Sequence, residues 1–355
     1  MLLSRYLVIN PQIHRIYFGR LTMNTTESTP DRNLGMELVR ATEAAAMAAA
    51  RWMGKGDRNA CDKAAVDAMR LLLSTVDMDG VVVIGEGEKD EAPMLFNGER
   101  IGNGNEPKTD VAVDPIDGTR LLSLGLPNSV SVVALSERGT MYSPGPIVYM
   151  NKIAVGVEAK DAIDIDAPVK DNLHNIAKAY GKDLEELTVV VLDRPRHKEL
   201  IDQIRVAGAR LKLISDGDIS AALQAADPET SVDVLMGVGG SPEAVISAAA
   251  IKCLGGNLQC KLWPRDEAER KGALEAGLNL NQVLTLDDLV RGDNVFFAIT
   301  GITDGELLEG VHYMGDRVST DSLVMRSKSG TIRRVKAEHR WQKLRQYSMI
   351  AYEGR

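Results

Sequence analysis

The sequence predicts an α/β protein on three observations. Short, wholly apolar runs such as Val81-Val82-Val83-Ile84 and Val111-Ala112-Val113 end abruptly in glycine- or aspartate-rich turns, as strands buried on both faces do. Segments of helical periodicity follow several of those turns. From position 187 the two patterns alternate without interruption: strand 187–192, helix 198–206, strand 211–214, helix 219–226, strand 232–236, helix 242–253. An open sheet built this way offers ligands a place beyond the ends of its strands.

The elements follow in order. Residues 1–34 carry apolar side chains interrupted by Arg5, His14, Arg15 and Arg20. No run among them reaches a signal-peptide core or the roughly 18 residues of a membrane span, so a disordered extension is expected, with Met23 as a second candidate start. Over 35–53, Glu37, Arg40, Glu43 and Arg51 interleave with an alanine-rich stripe, an amphipathic helix signal that breaks at Gly54-Lys55-Gly56. A second helix is expected to begin near Asp62, with Val66, Met69, Leu72 and Leu73 at helical spacing; Asp62 is then a cap or a ligand. The strand 81–84 runs into Gly85-Glu86-Gly87-Glu88 and an acidic loop through Asp90 and Glu91. A strand over 111–113 meets Asp114-Pro115-Ile116-Asp117-Gly118-Thr119, a turn expected to open a helix. Strands are expected over 130–135 and 141–149, the latter broken by Ser143-Pro144-Gly145-Pro146, and over 295–299 and 322–326, returning to an earlier sheet. The resulting division is an extension (1–34), a metal-binding α/β half (35–185), a second α/β half (186–340) and a tail (341–355).

Composition narrows the classes of function. With 355 residues, 44% hydrophobic and 4% aromatic, the chain can bury a large aliphatic core. A formal net charge of −8 argues against a nucleic-acid or anionic-membrane partner, which needs a basic footprint. Cys61, Cys253 and Cys260 are too few and too irregular for a disulfide framework or a zinc site and suggest a reducing, cytoplasmic setting. The five histidines form no paired metal motif.

The acids are more informative. Asp114 and Asp117 lie three residues apart on a proline-stiffened turn, where they can offer hard oxygen ligands to Mg²⁺ or Mn²⁺ beside free backbone N–H groups suited to a phosphate. Glu86, between two glycines at a strand end, needs a cation or a donor. Three further junctions suit a phosphosugar. Arg194 and Arg196 can clamp a phosphate, Asp216 and Asp218 can accept sugar hydroxyls, and Glu243, in Gly239-Gly240-Ser241-Pro242-Glu243, can complete a metal shell. Each alone is an ordinary turn, surface arginine or helix start; only their combination divides labour.

Six motifs together resemble the class II fructose-1,6-bisphosphatases of the GlpX type, within the lithium-sensitive phosphatase superfamily that includes inositol monophosphatases. They are W-M-G-K-G-D-x-N-x-x-D ending at Asp62, I-G-E-G-E-x-D-E-A-P-M-L over 84–95, D-P-I-D-G-T at 114–119, R-P-R-H at 194–197, D-G-D at 216–218 and G-G-S-P-E at 239–243. The resemblance implies a layered α-β-α-β-α sandwich, metal ligands at Asp62, Glu86, Asp114, Asp117 and Glu243, and Mn²⁺ or Mg²⁺ as cofactor. It implies substrate contacts at Asp117, Gly118, Thr119, Tyr149, Arg194, Pro195, Arg196, Asp216, Gly217 and Asp218, and a catalytic Thr119 with Asp90 or Glu88 behind it. It further implies a sugar bisphosphate as the small-molecule partner and a homodimer or homotetramer. Two positions depart from the commoner pattern: Asp117 stands where many members have Glu, and Arg194 where many have Lys. An inositol-monophosphate-like phosphatase and a non-catalytic phosphosugar-binding regulator are the alternatives.

Overall fold

The computed structural model describes residues 33–87, 94–145, 147–347 and 350. In chain order its elements are α1 (Gly35–Ala50), α2 (Arg58–Leu73), β1 (Asp79–Ile84), β2 (Arg100–Ile101), β3 (Lys108–Asp117), α3 (Thr119–Leu124), β4 (Val130–Glu137), β5 (Tyr149–Val155) and α4 (Val169–Tyr180). There follow β6 (Thr188–Leu192), α5 (Lys198–Ala207), β7 (Arg210–Ile214), α6 (Asp218–Ala226), β8 (Val234–Gly240), α7 (Ser241–Leu254), β9 (Asn257–Leu262), α8 (Glu267–Glu275) and β10 (Leu284–Thr285). The chain closes with α9 (Leu286–Leu289), β11 (Phe296–Gly301), β12 (His312–Met314), β13 (Arg317–Arg326), β14 (Thr331–Arg340) and α10 (Trp341–Tyr347).

Two mixed sheets organise these elements. One runs β12-β13-β11-β4-β3-β1-β2, with β14 paired to the other edge of β13; the second runs β10-β9-β5-β8-β6-β7. Three apolar clusters show how they stack. The first joins α1 and α2 to one face of the first sheet through residues such as Leu38, Met69, Val111, Val133 and Ala298. The second holds the opposite face of that sheet, the helices α6 and α7, and one face of the second sheet. The third packs the outer face of the second sheet on α4 and α5. The order is therefore helix, sheet, helix, sheet, helix, the five-layered α/β sandwich expected from the sequence.

Alternation along β11 makes the point residue by residue. Phe297 and Ile299 face the central helices, whereas Phe296 and Ala298 face α1 and α2, so the strand is apolar at every position. Pairing of β11 with β4 and β13 brings the last third of the chain back into the first sheet. The middle helices are apolar all round for the same reason: every residue of α6 is buried, as are Ala244 through Ile251 of α7.

Two expected boundaries move. The strand expected over 141–149 is an isolated bridge at Met141; the ladder starts at Tyr149 and continues to Val155. Pro144 lacks the N–H that a ladder needs and interrupts the expected strand. The second helix starts at Arg58, capped by Asp57, whose Oδ1 accepts from the Ala60 N–H at 3.0 Å. Asp62 thus lies in the second turn of α2 and is not the cap. Among the described residues no helix is long and apolar enough to cross a membrane.

Because Phe297 is fully buried against the central helix layer, Phe297→Ala should cost about 3–5 kcal/mol of stability. Urea unfolding reads it, and a loss below about 1 kcal/mol would mean that β11 is not the seam of the two sheet faces.

Candidate active site

The ends of several strands converge on one cleft. Its first lobe, about 500 Å³, is walled by Asp62 of α2, Glu86 beyond β1, Asp114 and Asp117 at the end of β3, Gly118, Thr119, Asp216 and Glu243 at the start of α7. A second lobe, about 280 Å³, is walled by Tyr149, Arg194, Arg196, Asp216, Asp218, Gly239 and Gly240. Asp117, Asp216, Pro242 and Glu243 line both, so the lobes share a wall.

A local irregularity puts the paired aspartates together. On a regular strand, residues three apart point to opposite faces. Here Asp114 lies opposite Val132 and Asp117 opposite Val130, so β3 has one residue more than β4 between those pairs. The extra residue is a bulge, made natural by Pro115, which lacks the N–H a ladder needs; it reverses the parity and turns both carboxylates to the same cleft. Gly118 follows with φ +89°, a left-handed conformation that ends the strand and starts the six-residue α3.

Hydrogen bonds fix several of these groups. The Thr119 hydroxyl donates to Asp62 Oδ1 at 2.8 Å, the Ile116 N–H donates to Asp114 Oδ1 at 3.1 Å, and the Ser220 N–H donates to Asp117 Oδ2 at 3.3 Å. Glu243 Oε2 is buried and has no hydrogen-bond partner among the described residues. Gly239 and Gly240 make room for the acids: a Cβ at Gly239 would meet Asp218 Oδ2 at 1.9 Å, and one at Gly240 would meet Glu243 Oε2 at 1.7 Å.

The carboxylates crowd one another out of bulk water. Desolvation first, then Asp218, pushes Glu243 up to about 7, with Lys152 opposing. Desolvation, then Asp62 and Glu243, pushes Glu86 up to about 7, although its side chain is more open to solvent than the others. Asp114 and Asp117 are raised well above the ordinary carboxylate range, again by desolvation first, then by Asp117 and Glu86 for Asp114 and by Asp218 and Glu243 for Asp117. Carboxylates in this state take up either protons or cations. The donor set is all oxygen, which suits Mg²⁺ or Mn²⁺, and the orphaned Glu243 oxygen supplies a vacant acceptor. Among the described residues no three acidic, histidine or cysteine side chains come close enough together to hold one ion by themselves. The fit is thus to hard cations held by one or two carboxylates, with water and phosphate oxygens completing the shell, the usual habit of Mg²⁺.

Other expected residues stand differently. Glu88 and Asp90 lie outside the described residues. Pro195 lines neither lobe; with Arg196 it borders a separate open groove against α4 and α5. Gly217 also lines neither lobe, and serves as the left-handed turn, φ +83°, that starts α6. Arg196 is committed in part, since its Nε and Nη2 donate to the Val238 carbonyl at 3.2 and 2.8 Å and its guanidinium sits 4.8 Å above the Tyr149 ring. His197 has no catalytic posture: Nδ1 bonds the Leu192 carbonyl at 2.6 Å and Nε2 accepts the Val238 N–H at 2.7 Å, which fixes a neutral ring.

Sequence reading missed two kinds of residue. Arg58, Asn59 and Arg120 line the acidic lobe. Arg58 was legible in principle, being one helical turn before Asp62 and so on the same face. Lys152, by contrast, is 1% exposed and donates to Asp218 Oδ2 at 2.6 Å, yet nothing in its local sequence marks it.

Five alternating layers, with an acid-lined cleft at the strand ends opening into an arginine-bearing one, define an α/β sandwich of the sugar-phosphatase kind. The model of the bacterial fructose-1,6-bisphosphatase family, glpX-encoded, matches residues 32–339, and the chain belongs to that family. Fructose-1,6-bisphosphatase 1 class 2 of Escherichia coli K12 is 45% identical over 321 residues, covering 87% of this chain and 95% of the relative. The fructose-1,6-bisphosphatase class 2 proteins of Escherichia coli O6:H1 and Shigella flexneri match with the same identity and coverage.

The raised carboxylates set the pH dependence of stability. A folded-state pKa near 7 for Glu243 lies above the roughly 4.3 of an unfolded glutamate, so between those values the folded state binds more protons and stability falls as pH rises. In chelator, the melting temperature should therefore decline across this window. The increment produced by added Mg²⁺ should be larger at about pH 8 than at about pH 5.5, because cations then replace protons that are no longer there. Equal increments at the two pH values would show that the acids are not the cation's ligands.

Proposed function

We propose that the protein hydrolyses the 1-phosphate of fructose 1,6-bisphosphate, giving fructose 6-phosphate and inorganic phosphate in gluconeogenesis. The observation that carries this is the shared wall between an acidic lobe and a lobe bearing two arginines and a tyrosine. A sugar with a phosphate at each end fits two such chambers, one phosphate beside the carboxylates and the other beside Arg194 and Arg196. The relatives named fructose-1,6-bisphosphatase support the same substrate.

Mg²⁺ or Mn²⁺, held by Asp62, Glu86, Asp114, Asp117 and Glu243, would lower the pKa of the attacking water and neutralise charge on the phosphoryl oxygens and the leaving alkoxide. The chain's own groups do the rest. Thr119 points its proton at Asp62, which leaves the hydroxyl oxygen's lone pairs free to accept from a water and gives that water's proton a route to a carboxylate. Glu88 and Asp90 belong to this proposal as groups behind Thr119. Asp216 and Asp218 accept sugar hydroxyls, and Tyr149 with Arg196 closes the far side of the second lobe.

Water as the nucleophile also agrees with what the other candidates are doing. Burial pushes the Cys61 thiol up to about 11 and those of Cys253 and Cys260 up to about 12, and both His197 nitrogens are occupied. The same free, buried thiols support a cytoplasmic protein. A homodimer or homotetramer is part of the proposal: β14 is a ten-residue strand paired on one side only among the described residues, an edge that such an assembly could cover. An inositol-monophosphate-like activity would use the acids equally well but would leave Arg194 and Arg196 without a second phosphate. A phosphosugar-binding regulator would leave the acid cluster without a task.

Phosphate release from fructose 1,6-bisphosphate, sedoheptulose 1,7-bisphosphate and inositol 1-phosphate, with and without Mg²⁺ or Mn²⁺, tests the proposal. Metal-dependent release from the ketose bisphosphates is expected, abolished by EDTA and inhibited by lithium. Preference for inositol 1-phosphate would overturn the substrate, and turnover surviving exhaustive chelation would overturn the metals. Thr119→Ala should lower kcat by about 100-fold with KM within about threefold; a weakened KM with normal kcat would show that Thr119 only binds.

A further inference from the structure

We propose that Lys152 is a positioning residue for the sugar, holding Asp218 in the attitude in which its carboxylate accepts substrate hydroxyls; this rests on the function proposed above. The ion pair is buried at both ends, 1% exposed at Lys152 and 6% at Asp218, with Nζ 2.6 Å from Oδ2 and 3.3 Å from the Gly240 carbonyl. Asp218 is the first residue of α6 and Lys152 the centre of β5, so the ammonium ties a helix start to the middle of the second sheet. Through Gly240 it also ties that helix to the turn leading into α7.

The pair is built for, not incidental. Gly239 has no room for a side chain, because a Cβ there would stand 1.9 Å from Asp218 Oδ2 and 2.9 Å from Lys152 Nζ. Lys152 has an apolar stem amid Cys260 and Gly237, its register partners on β9 and β8, and no opening to water. A lysine fully removed from solvent is costly unless its partner has a fixed geometry to offer. Among the described residues, Asp218 Oδ1 makes no protein hydrogen bond, while Asp218 lines the second lobe. One oxygen is therefore held by the lysine and the other is left for a ligand. Even where the lysine holds it, Asp218 is, after desolvation, the first charged neighbour that raises Glu243 and Asp117, so a carboxylate released to turn toward them would meet still more repulsion.

Steady-state kinetics on fructose 1,6-bisphosphate in saturating Mg²⁺ tests this with Lys152→Met, Asp218→Asn and the double variant. Lys152→Met should raise KM about tenfold or more with kcat within about threefold, and in the Asp218→Asn background it should add nothing further to KM. An unchanged KM in Lys152→Met, or KM effects that multiply in the double variant, would overturn the assignment; so would an equal fall in kcat in both backgrounds, the mark of a merely structural lysine. If Lys152→Met does not fold, Gly239→Ala takes its place, since its methyl must displace the pair without removing either charge. It too should raise KM, and a normal KM would overturn the proposal. Wild-type turnover on fructose 1,6-bisphosphate judges the substrate itself, whereas the ratio of variant to wild type judges Lys152, so the two failures are distinct.

Discussion

The middle helix layer is the constraint on which the rest depends. Helices α6 and α7 lie between two sheets, so neither has a solvent face, and their sequences are correspondingly small and apolar along nearly the whole length. Their acidic residues are confined to their starts. Asp218 opens α6 and Glu243 lies in the first turn of α7, each directly after a strand or turn that lines the cleft. The cleft is thus not carved into a finished fold. It is the opening left where a buried helix layer stops and its first polar residues must face something other than hydrocarbon.

That origin explains both the charge density and its compensation. Glu243 at the start of α7, Asp114 and Asp117 at the bulged end of β3, and Asp62 on α2 line one lobe, where removal from water is the first cause that raises their proton affinity. The structure meets the excess in two ways. Beside the second lobe a permanent cation, Lys152, is built into the sheet. On the acidic side Glu243 Oε2 has no donor among the described residues, and exchangeable cations are the natural complement. The two devices have different consequences: a fixed ammonium confers geometry independent of the medium, whereas exchangeable ions let a phosphate join the coordination shell. Under the proposed function, the lobe that binds the sugar uses the first and the lobe in which the phosphate reacts uses the second.

Much of this was legible in the sequence because it is local. A strand that ends in glycines, a helix that starts at Gly-Gly-Ser-Pro-Glu and an Asp-Pro-Ile-Asp turn each carry their signal within a few residues. What escaped is long-range or pattern-poor. Asp57 rather than Asp62 caps α2, a difference of just over one helical turn that the apolar spacing could not resolve. The ten-residue strand β14 is largely exposed and rich in charge, so it lacks the apolar face by which a strand announces itself. Lys152 sits in Met150-Asn151-Lys152-Ile153, a stretch without a motif, and its partner is 66 residues away on α6, a helix that meets β5 only by packing in the fold.

The adjacent glycines show how a motif can be recognised before its reason is known. As sequence, Gly239-Gly240 marks the end of a strand and the approach to a helix. In the fold, β8 must pass close to two carboxylates, Asp218 in the second lobe and Glu243 in the wall common to both, and each glycine removes the one methyl group that would strike one of them. Neither position has the positive φ that would make glycine a backbone requirement. The demand comes from the acids' side of the contact: move Asp218 or Glu243 outward to admit a side chain, and the wall shared by the two lobes thickens. How closely β8 approaches these two carboxylates therefore depends on both positions lacking a side chain.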